Sequence, residues 1–232
     1  MTALRLYDLA GSDPDRRFSP YCWRTKLALA HKGLEVETIP WRFTDKDVIA
    51  FSGQGRVPVL VDGDRTVADS WAIATYLEDA YPDRPSLFGA DPGRALAKLV
   101  NSWADHALVG AVARVVLVDI HERLHEKDRA YFRQTREQRF GKRLEEVAAD
   151  RAGNLAALRN ALEPVRATLA ARPFISGAAP LYPDYIVFGM LQWARCIRPI
   201  EALAEDDPVA AWRGRLLDRF DGLARKALAC AA

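Results

Sequence analysis

Residues 56–70, RVPVLVDGDRTVADS, decide the fold of the first third of the chain. The run Val57–Val61 is almost entirely apolar, as in a strand that is buried on both faces of a sheet. The pair Asp62–Gly63 is a typical tight-turn sequence, so Arg65–Val67 is predicted to fold back as a short antiparallel partner. This stretch therefore predicts a β-hairpin at one edge of a larger sheet.

The residues before this hairpin predict a strand, a helix and a second strand. Leu4–Leu9 alternates large apolar with polar side chains, which is the pattern of a half-buried strand. From Ser19 the apolar residues recur on one broad helical face until Gly33 ends the pattern. Glu35–Ile39 alternates again and is stopped by Pro40. A strand–helix–strand unit of this kind favours a parallel pair of strands.

Two helical segments complete this first region. Thr44–Phe51 is a short helix candidate, with Thr44 as its N-cap. After the hairpin, either Asp69 or Ser70 caps a helix that runs to about Tyr81. The predicted order is therefore β-α-β-α-β-β-α, which is an α/β unit.

A proline-rich connector, YPDRPSLF at residues 81–88, separates this unit from the rest of the chain. No convincing strand follows it, and about five or six helices are predicted from the helical spacing of apolar and charged residues. The charged residues between Glu122 and Glu146 are predicted to form a solvated helix face. The sequence thus predicts an α/β domain at 1–82, a linker at 83–92 and an all-helical bundle at 93–232.

The composition restricts the class of function. Of the 232 residues, 50% are hydrophobic and 28% are charged, as in a folded protein. A net charge of +2 gives no overall basic field that would attract nucleic acid. Three cysteines do not make a disulfide framework, no apolar run reaches the ~20 residues of a membrane span, and the four histidines lie in no metal motif. We predict a cytoplasmic protein with reduced thiols and without nucleic-acid, membrane or metal partners.

The tetrapeptide Ser19-Pro20-Tyr21-Cys22 has two interpretations. A serine N-cap followed by proline starts a helix well, because proline has no N–H to leave unpaired. The same helix end carries partial positive charge, so it can stabilise a thiolate that a ligand brings, with the Ser19 hydroxyl donating to that thiolate. For Cys22, three residues further on, a buried small residue is the favoured interpretation.

Two other motifs also have two interpretations each, and for Pro58 taken alone the purely structural interpretation is favoured. Pro58 inside an apolar strand is explained by a strand that begins there, or by a cis peptide that turns the Val57 backbone towards a ligand. Asp69-Ser70-Trp71 is a common helix cap, or a site where helix N–H groups and a carboxylate bind an amino-acid head group. The order and spacing of the three motifs within one β-α-β-α-β-β-α unit are more specific than each motif by itself.

On these motifs the first domain resembles the thioredoxin-like half of glutathione S-transferases, and the helical remainder resembles their second domain. The segments that carry the resemblance are FSPYCWRTKLALAHKGLEVETIP at 18–40 and RVPVLVDGDRTVADSWAIATYLEDAYPDRPSLF at 56–88. SPYCWRTKLALAHKG at 19–33, REQRF at 136–140 and EDDPVAAW at 205–212 are similar to bacterial lignin β-etherases and fungal etherase-like glutathione transferases. The resemblance implies a homodimeric, detoxifying transferase of the serine type that uses glutathione.

The resemblance also implies roles for single residues. Ser19 would hydrogen-bond the glutathione thiolate, and Val57, before a cis Pro58, would pair with the cysteinyl backbone. Asp69 and Ser70 would hold the γ-glutamyl group. Ser19 stands where glutaredoxin-like members carry the first cysteine of a C-P-Y-C motif.

Further site residues are assigned by position. Arg42 and Gln54 are expected at the glycyl carboxylate. Tyr7, at the end of the first strand, is the rival of Ser19, because tyrosine-type members place their hydroxyl near it. The aromatic substrate pocket is expected to include Phe18, Trp23, Trp41 and Trp103.

One helix start departs from the family pattern. The family has Ser, Thr or Asn three residues before an aspartate, whereas this chain has Leu181 before Asp184. We expect Asp184 to provide the cap alone.

Three functions remain in view. The leading hypothesis is a glutathione transferase that attacks a bulky aromatic electrophile, with β-aryl ether cleavage as one form of that reaction. The first alternative is a non-catalytic protein that carries glutathione and aromatic ligands. The second alternative is a thiol–disulfide oxidoreductase, which is disfavoured because Ser19 replaces the attacking cysteine.

Overall fold

The first region is an α/β unit with a four-stranded sheet. The computed structural model describes residues 4–199 and 203–230. Its first elements are β1 (Leu4–Leu9), α1 (Pro20–His31), β2 (Val36–Trp41), a 3₁₀ helix (Lys46–Ser52), β3 (Val59–Asp62), β4 (Arg65–Ala68) and α2 (Ser70–Ala80). The strand order is β2-β1-β3-β4, with β1 and β2 parallel and the other pairs antiparallel. This order confirms the predicted thioredoxin-like class.

Two local predictions in this unit are wrong. β2 does not stop at Pro40 but continues to Trp41, because β2 is an edge strand on which one row of N–H groups needs no partner in the sheet. Thr44 caps no helix, since the 3₁₀ helix begins only at Lys46. The Thr44 hydroxyl and N–H instead donate to the buried Asp128 carboxylate of the second domain, at 2.7 and 3.0 Å.

The second region is helical, apart from turns and an isolated β-bridge between Phe174 and Gly177. It contains α3 (Asp91–Trp103), a π-helical segment (Ala104–Leu108), α4 (Val109–Arg123), α5 (Glu126–Phe140), α6 (Leu144–Ala148), α7 (Arg151–Ala161), α8 (Glu163–Leu169), α9 (Tyr182–Ile197), α10 (Pro208–Leu217) and α11 (Arg219–Gly222). The prediction of five or six helices is too low, because local signals divide the longer stretches. Gly141 ends α5, and the Asp150 carboxylate starts α7.

The connector between the two regions is packed against the bundle. Leu87 and Phe88 are buried, and the Leu87 carbonyl accepts a hydrogen bond from the Tyr182 N–H at 2.9 Å. α3 begins at Asp91, inside the predicted linker. The domain ranges 1–82 and 93–232 stay a prediction, and their residues 1–3, 200–202 and 231–232 lie outside the described part.

The two domains meet along α1 and α9. Gly189 of α9 permits the close approach, since a Cβ there would lie 2.5 Å from the carbonyl oxygen of Pro20. The buried Arg24 of α1 donates to Asn101 at 3.0 Å and to Asp105 at 2.8 Å. These contacts fix the N-terminus of α1 against the helical domain.

Asp184 compensates for the leucine at the start of α9. Its buried carboxylate accepts from the N–H groups of Leu181, Ile175 and Ser176 at 3.2, 2.8 and 3.1 Å, and from the Trp212 indole at 2.8 Å. Burial raises the pKa of Asp184, and the hydrogen bonds oppose that rise. Asp184 accepts the N–H of Leu181 as expected, but it does not act alone, because the Leu87 carbonyl accepts the N–H of Tyr182, the first residue of α9.

Candidate active site

A cleft of about 620 Å³ lies between the two domains. We call its α/β side the first wall; from the predicted site residues it contains Phe18, Ser19, Trp41, Gln54, Val57, Pro58 and Asp69. The opposite side, the second wall, is formed chiefly by Val109, Leu117, Tyr131, Phe132, Arg136, Arg139 and Phe140 of α4 and α5. The cleft therefore combines polar groups of one domain with aromatic and basic groups of the other.

Ser19 is the N-cap of α1. Its hydroxyl oxygen accepts the Cys22 N–H at 3.3 Å, which leaves the hydroxyl proton available for donation. Pro20 occupies the first helical position, and the Tyr21 N–H has no acceptor among the described residues. The positive end of the α1 dipole thus presents a hydroxyl proton and a free N–H at the cleft.

Val57 precedes a cis peptide to Pro58. In residues 4–199 and 203–230, no hydrogen bond takes up the N–H or the carbonyl of Val57. The Pro58 carbonyl, by contrast, accepts from the Asp69 N–H at 3.2 Å. Val57 therefore offers one donor and one acceptor to an extended ligand backbone.

Asp69, rather than Ser70, is the cap of α2. One of its carboxylate oxygens accepts the N–H groups of Trp71 and Ala72, at 2.8 and 3.0 Å. Asp69 has a φ of 82°, a conformation that costs an aspartate about 1 kcal/mol or more. Ser70 is buried and does not line the cleft, and its carbonyl accepts from the Tyr182 hydroxyl at 2.8 Å.

Three other predicted residues lie outside the lining of the cleft. Arg42 is engaged with the loop after β1, where it donates to the carbonyls of Gly11 and Ser12, both at 3.2 Å. Trp23 is buried in the core, and Trp103 lies at the end of α3. Basic and aromatic side chains are suited to a ligand site, but contacts with residues distant in sequence place these three outside the cleft.

The two rivals of Ser19 are both buried outside the cleft. The Tyr7 ring packs against Phe51, with ring centroids 5.5 Å apart. Cys22 is fully buried, and burial raises its pKa well above the ordinary thiol value, with the Asp8 carboxylate adding to the effect. Cys22 is therefore held as a neutral thiol, and the arrangement favours Ser19 as the partner of a thiolate.

Four basic side chains that the sequence analysis did not select line the cleft: Lys46, Arg56, Arg136 and Arg139. None of them forms an ion pair with a carboxylate in the part of the chain that the structure describes. The prediction of a solvated face on 122–146 is wrong for Arg136, which is half-buried. The sequence indicates the position of Arg136 only through its helical spacing from Phe132 and Phe140, which places the three residues on one face of α5.

The acidic groups in the lining are already engaged. Asp105, in the π-helical segment, accepts from Arg24 and from the Asn101 amide, each at 2.8 Å. Asp69 caps α2. Burial raises the pKa of Tyr21, and Asp105 raises it further, so the phenol stays protonated at neutral pH. The cleft thus has an excess of positive charge and suits anionic ligands.

Comparisons with known proteins agree on one family. The family model for the glutathione S-transferase N-terminal domain matches residues 18–80, and that for the C-terminal domain matches residues 95–222. Glutathione S-transferase Z2 of Arabidopsis thaliana is 44% identical over 69 residues, which is 28% of this chain and 31% of that protein. The chain thus spans about a third of the length of the curated relative with which it aligns.

Solved structures are similar over the whole chain. Glutathione transferase GSTFuA3 from Phanerochaete chrysosporium is 25% identical, with a TM-score of 0.83 over 96% of this chain and 97% of that one. A glutathione S-transferase of Ceriporiopsis subvermispora in complex with glutathione is 25% identical, with a TM-score of 0.81 over 95% and 97%. Among the described residues, no helix is long and apolar enough to cross a membrane, and no His, Cys, Asp and Glu cluster could hold a metal.

Proposed function

The chain belongs to the glutathione S-transferase family, and we propose that it is an enzyme that attacks a bulky aromatic electrophile with the glutathione thiolate. The observation that carries the proposal is that one cleft contains the Ser19 hydroxyl, the unpaired Val57 backbone and an aromatic second wall. A thiol ligand and an apolar electrophile can therefore bind side by side.

Glutathione fits the first wall group by group. Its cysteinyl backbone would pair with the N–H and carbonyl of Val57, and its γ-glutamyl ammonium with the Asp69 carboxylate. Ser70 would contribute through the N-terminus of α2 rather than through its buried side chain. For the glycyl carboxylate we propose Gln54 together with Lys46, because both line the cleft and Arg42 does not. The Lys46 ammonium donates to the Gly55 carbonyl and has two further N–H groups.

The chemical step is a displacement by sulfur. The Ser19 hydroxyl and the α1 N-terminus stabilise the thiolate, so the thiol loses its proton to water at a lower pH than in solution. The sulfur lone pair forms the C–S bond while the leaving group departs with its bonding electrons. An aryl halide releases halide, whereas a β-aryl ether releases phenolate, which water then protonates.

The test is a pH profile of Ser19→Ala with glutathione and 1-chloro-2,4-dinitrobenzene. We expect kcat/KM to fall about 100-fold at pH 6.5 and much less at pH 9, where free thiolate is plentiful. Ser12→Ala, on the exposed loop after β1, is the matched control and should retain the wild-type profile. If Ser19→Ala keeps full activity at pH 6.5, Ser19 is only a helix cap.

Ether cleavage is the finer proposal. The segment REQRF, on which the etherase resemblance partly rests, supplies Arg136, Arg139 and Phe140 to the second wall. A screen of β-aryl ethers against aryl halides, read by mass spectrometry, tests it. Glutathione binding without any product would favour the carrier protein instead.

A homodimer is also proposed. The exposed apolar side chains Phe51, Leu96 and Leu99 lie on the 3₁₀ helix and on α3, where a second copy could cover them. Light scattering of the purified protein measures this, and a monomer at micromolar concentration would contradict it.

A further inference from the structure

Arg136 occupies an unusual position for a charged side chain. Its guanidinium carbon lies 5.0 Å from the ring centroid of Phe43 and 4.7 Å from that of Phe132. One of its nitrogens donates to the Thr135 hydroxyl at 2.9 Å. The other N–H donors have no acceptor within the described residues. The guanidinium is therefore stacked on aromatic rings at the cleft with most of its donors unused.

The surroundings of Arg136 also leave its positive charge without a balancing negative charge. Burial lowers the pKa of Arg136; Tyr131 opposes this shift, and the neighbouring Arg139 and Arg56 add to it. Repulsion of this kind in a partly buried cleft is relieved when an anion binds. No carboxylate of the described chain fills that place, since Asp105 pairs with Arg24 and Asp69 caps α2.

Glutathione does not account for all of this charge. Its glycyl carboxylate is assigned to Lys46 and Gln54, and Arg56 lies beside them on the same wall. Arg136 lies on α5 of the helical domain, and its guanidinium contacts both Phe43 of the first domain and Phe132 of α5, among the aromatic side chains of the cleft. A group bound by Arg136 therefore belongs to the second substrate.

We propose that Arg136 binds a carboxylate on the electrophile, so that the enzyme prefers aromatic carboxylates over neutral aromatic compounds. The ring of such a substrate lies beside the half-buried rings of Phe43 and Tyr131, and its carboxylate accepts two parallel hydrogen bonds from the guanidinium. Arg139 is exposed, so it adds positive charge near the cleft but is not held for two parallel hydrogen bonds to a carboxylate. This inference rests on the proposed function, since it defines the second substrate of that reaction.

The test compares two electrophiles of one skeleton, 4-chloro-3-nitrobenzoate and the neutral 4-chloro-3-nitrobenzamide. Each kcat/KM is divided by the uncatalysed rate constant with glutathione, which removes the difference in intrinsic reactivity. We expect the wild type to favour the acid about tenfold or more, and Arg136→Gln to reduce the ratio to about 1. Arg136→Lys should give an intermediate ratio, because it keeps the charge but not the paired donors.

Lys142→Gln is the matched control, since it removes one positive charge from an exposed position just after α5. It should leave the acid-to-amide ratio at the wild-type value. The KM for glutathione should be unchanged in Arg136→Gln. A raised KM for glutathione with an unaltered ratio would assign Arg136 to glutathione and overturn the inference.

A binding measurement separates this inference from the proposed function. With S-methylglutathione, which cannot react, quenching of tryptophan fluorescence reports acid and amide binding, because Trp41 and Trp193 line the cleft. Tighter binding of the acid that depends on Arg136 supports the inference even if neither compound is turned over. Turnover of the amide with equal binding of both compounds keeps the proposed function and overturns the inference.

Discussion

The two walls of the cleft are built by different kinds of structure. The first wall uses short side chains and backbone groups at the ends of elements, such as Ser19 before α1 and Asp69 before α2. The second wall uses long side chains from the middle of α5, such as Phe132 and Arg136, which reach the cleft only because α5 packs against the first domain. Local chemistry thus fixes one wall, and long-range packing fixes the other.

The largest expected effect comes from the contact between α1 and α9, which holds the two domains together. Gly189→Ala would place a Cβ 2.5 Å from the Pro20 carbonyl oxygen, so α1 and α9 must separate. We expect the free energy of unfolding in urea to fall by about 2–3 kcal/mol. The rate should fall as well, because Pro20 is adjacent to Ser19.

A glycine in open space provides the control for this substitution. A Cβ at Gly214 of α10 would meet no atom within 4 Å, so Gly214→Ala should be neutral or stabilise by about 0.5–1 kcal/mol. Equal stability of the two variants would contradict the role assigned to the contact between α1 and α9.

The next effect separates two functions within the first wall. Asp69→Asn keeps an oxygen that can cap α2 but removes the charge offered to the γ-glutamyl ammonium. We expect the KM for glutathione to rise about tenfold while the unfolding free energy is almost unchanged. Asp69→Ala should lose the cap too, at a further cost of about 1 kcal/mol in stability. An unchanged KM for glutathione in Asp69→Asn would show that Asp69 caps α2 and does not bind the γ-glutamyl ammonium.

The smallest effect concerns the thiol nearest to Ser19. Because burial raises the Cys22 pKa, the group stays protonated at neutral pH and up to its ordinary value of 9.0. Cys22 should therefore not react with a disulfide reagent at pH 8, whereas the half-buried Cys230 should. Cys22→Ala should leave turnover unchanged and lower stability by about 1 kcal/mol. A deglutathionylation activity that is lost in Cys22→Ser would revive the oxidoreductase hypothesis.

The sequence predicts the features that depend on local chemistry and misses those that depend on long-range packing. The order of elements along the chain, the α1 cap and the hairpin depend on neighbouring residues in the sequence, and these predictions are confirmed by the fold. The prediction that Thr44 caps a helix is wrong because its partner, Asp128, is distant in sequence. Arg42 lies outside the cleft lining because it donates to the Gly11 carbonyl, 31 residues away. Arg136 could not be distinguished from a solvated charge, because only the packing of α5 shows which face is covered. The roles of the individual site residues stay predictions until the variants are measured.

The Asp128 carboxylate holds the backbone N–H groups of Phe43 and Thr44, at 3.1 and 3.0 Å, and it lies on the same helix as Arg136. A displacement of the Phe43 turn is therefore transmitted to α5. If glutathione changes the affinity for the electrophile through this link, the electrophile must change the affinity for glutathione by the same factor. The coupling between the two substrates would then depend on one buried carboxylate that contacts both domains, and by itself it would favour neither order of addition.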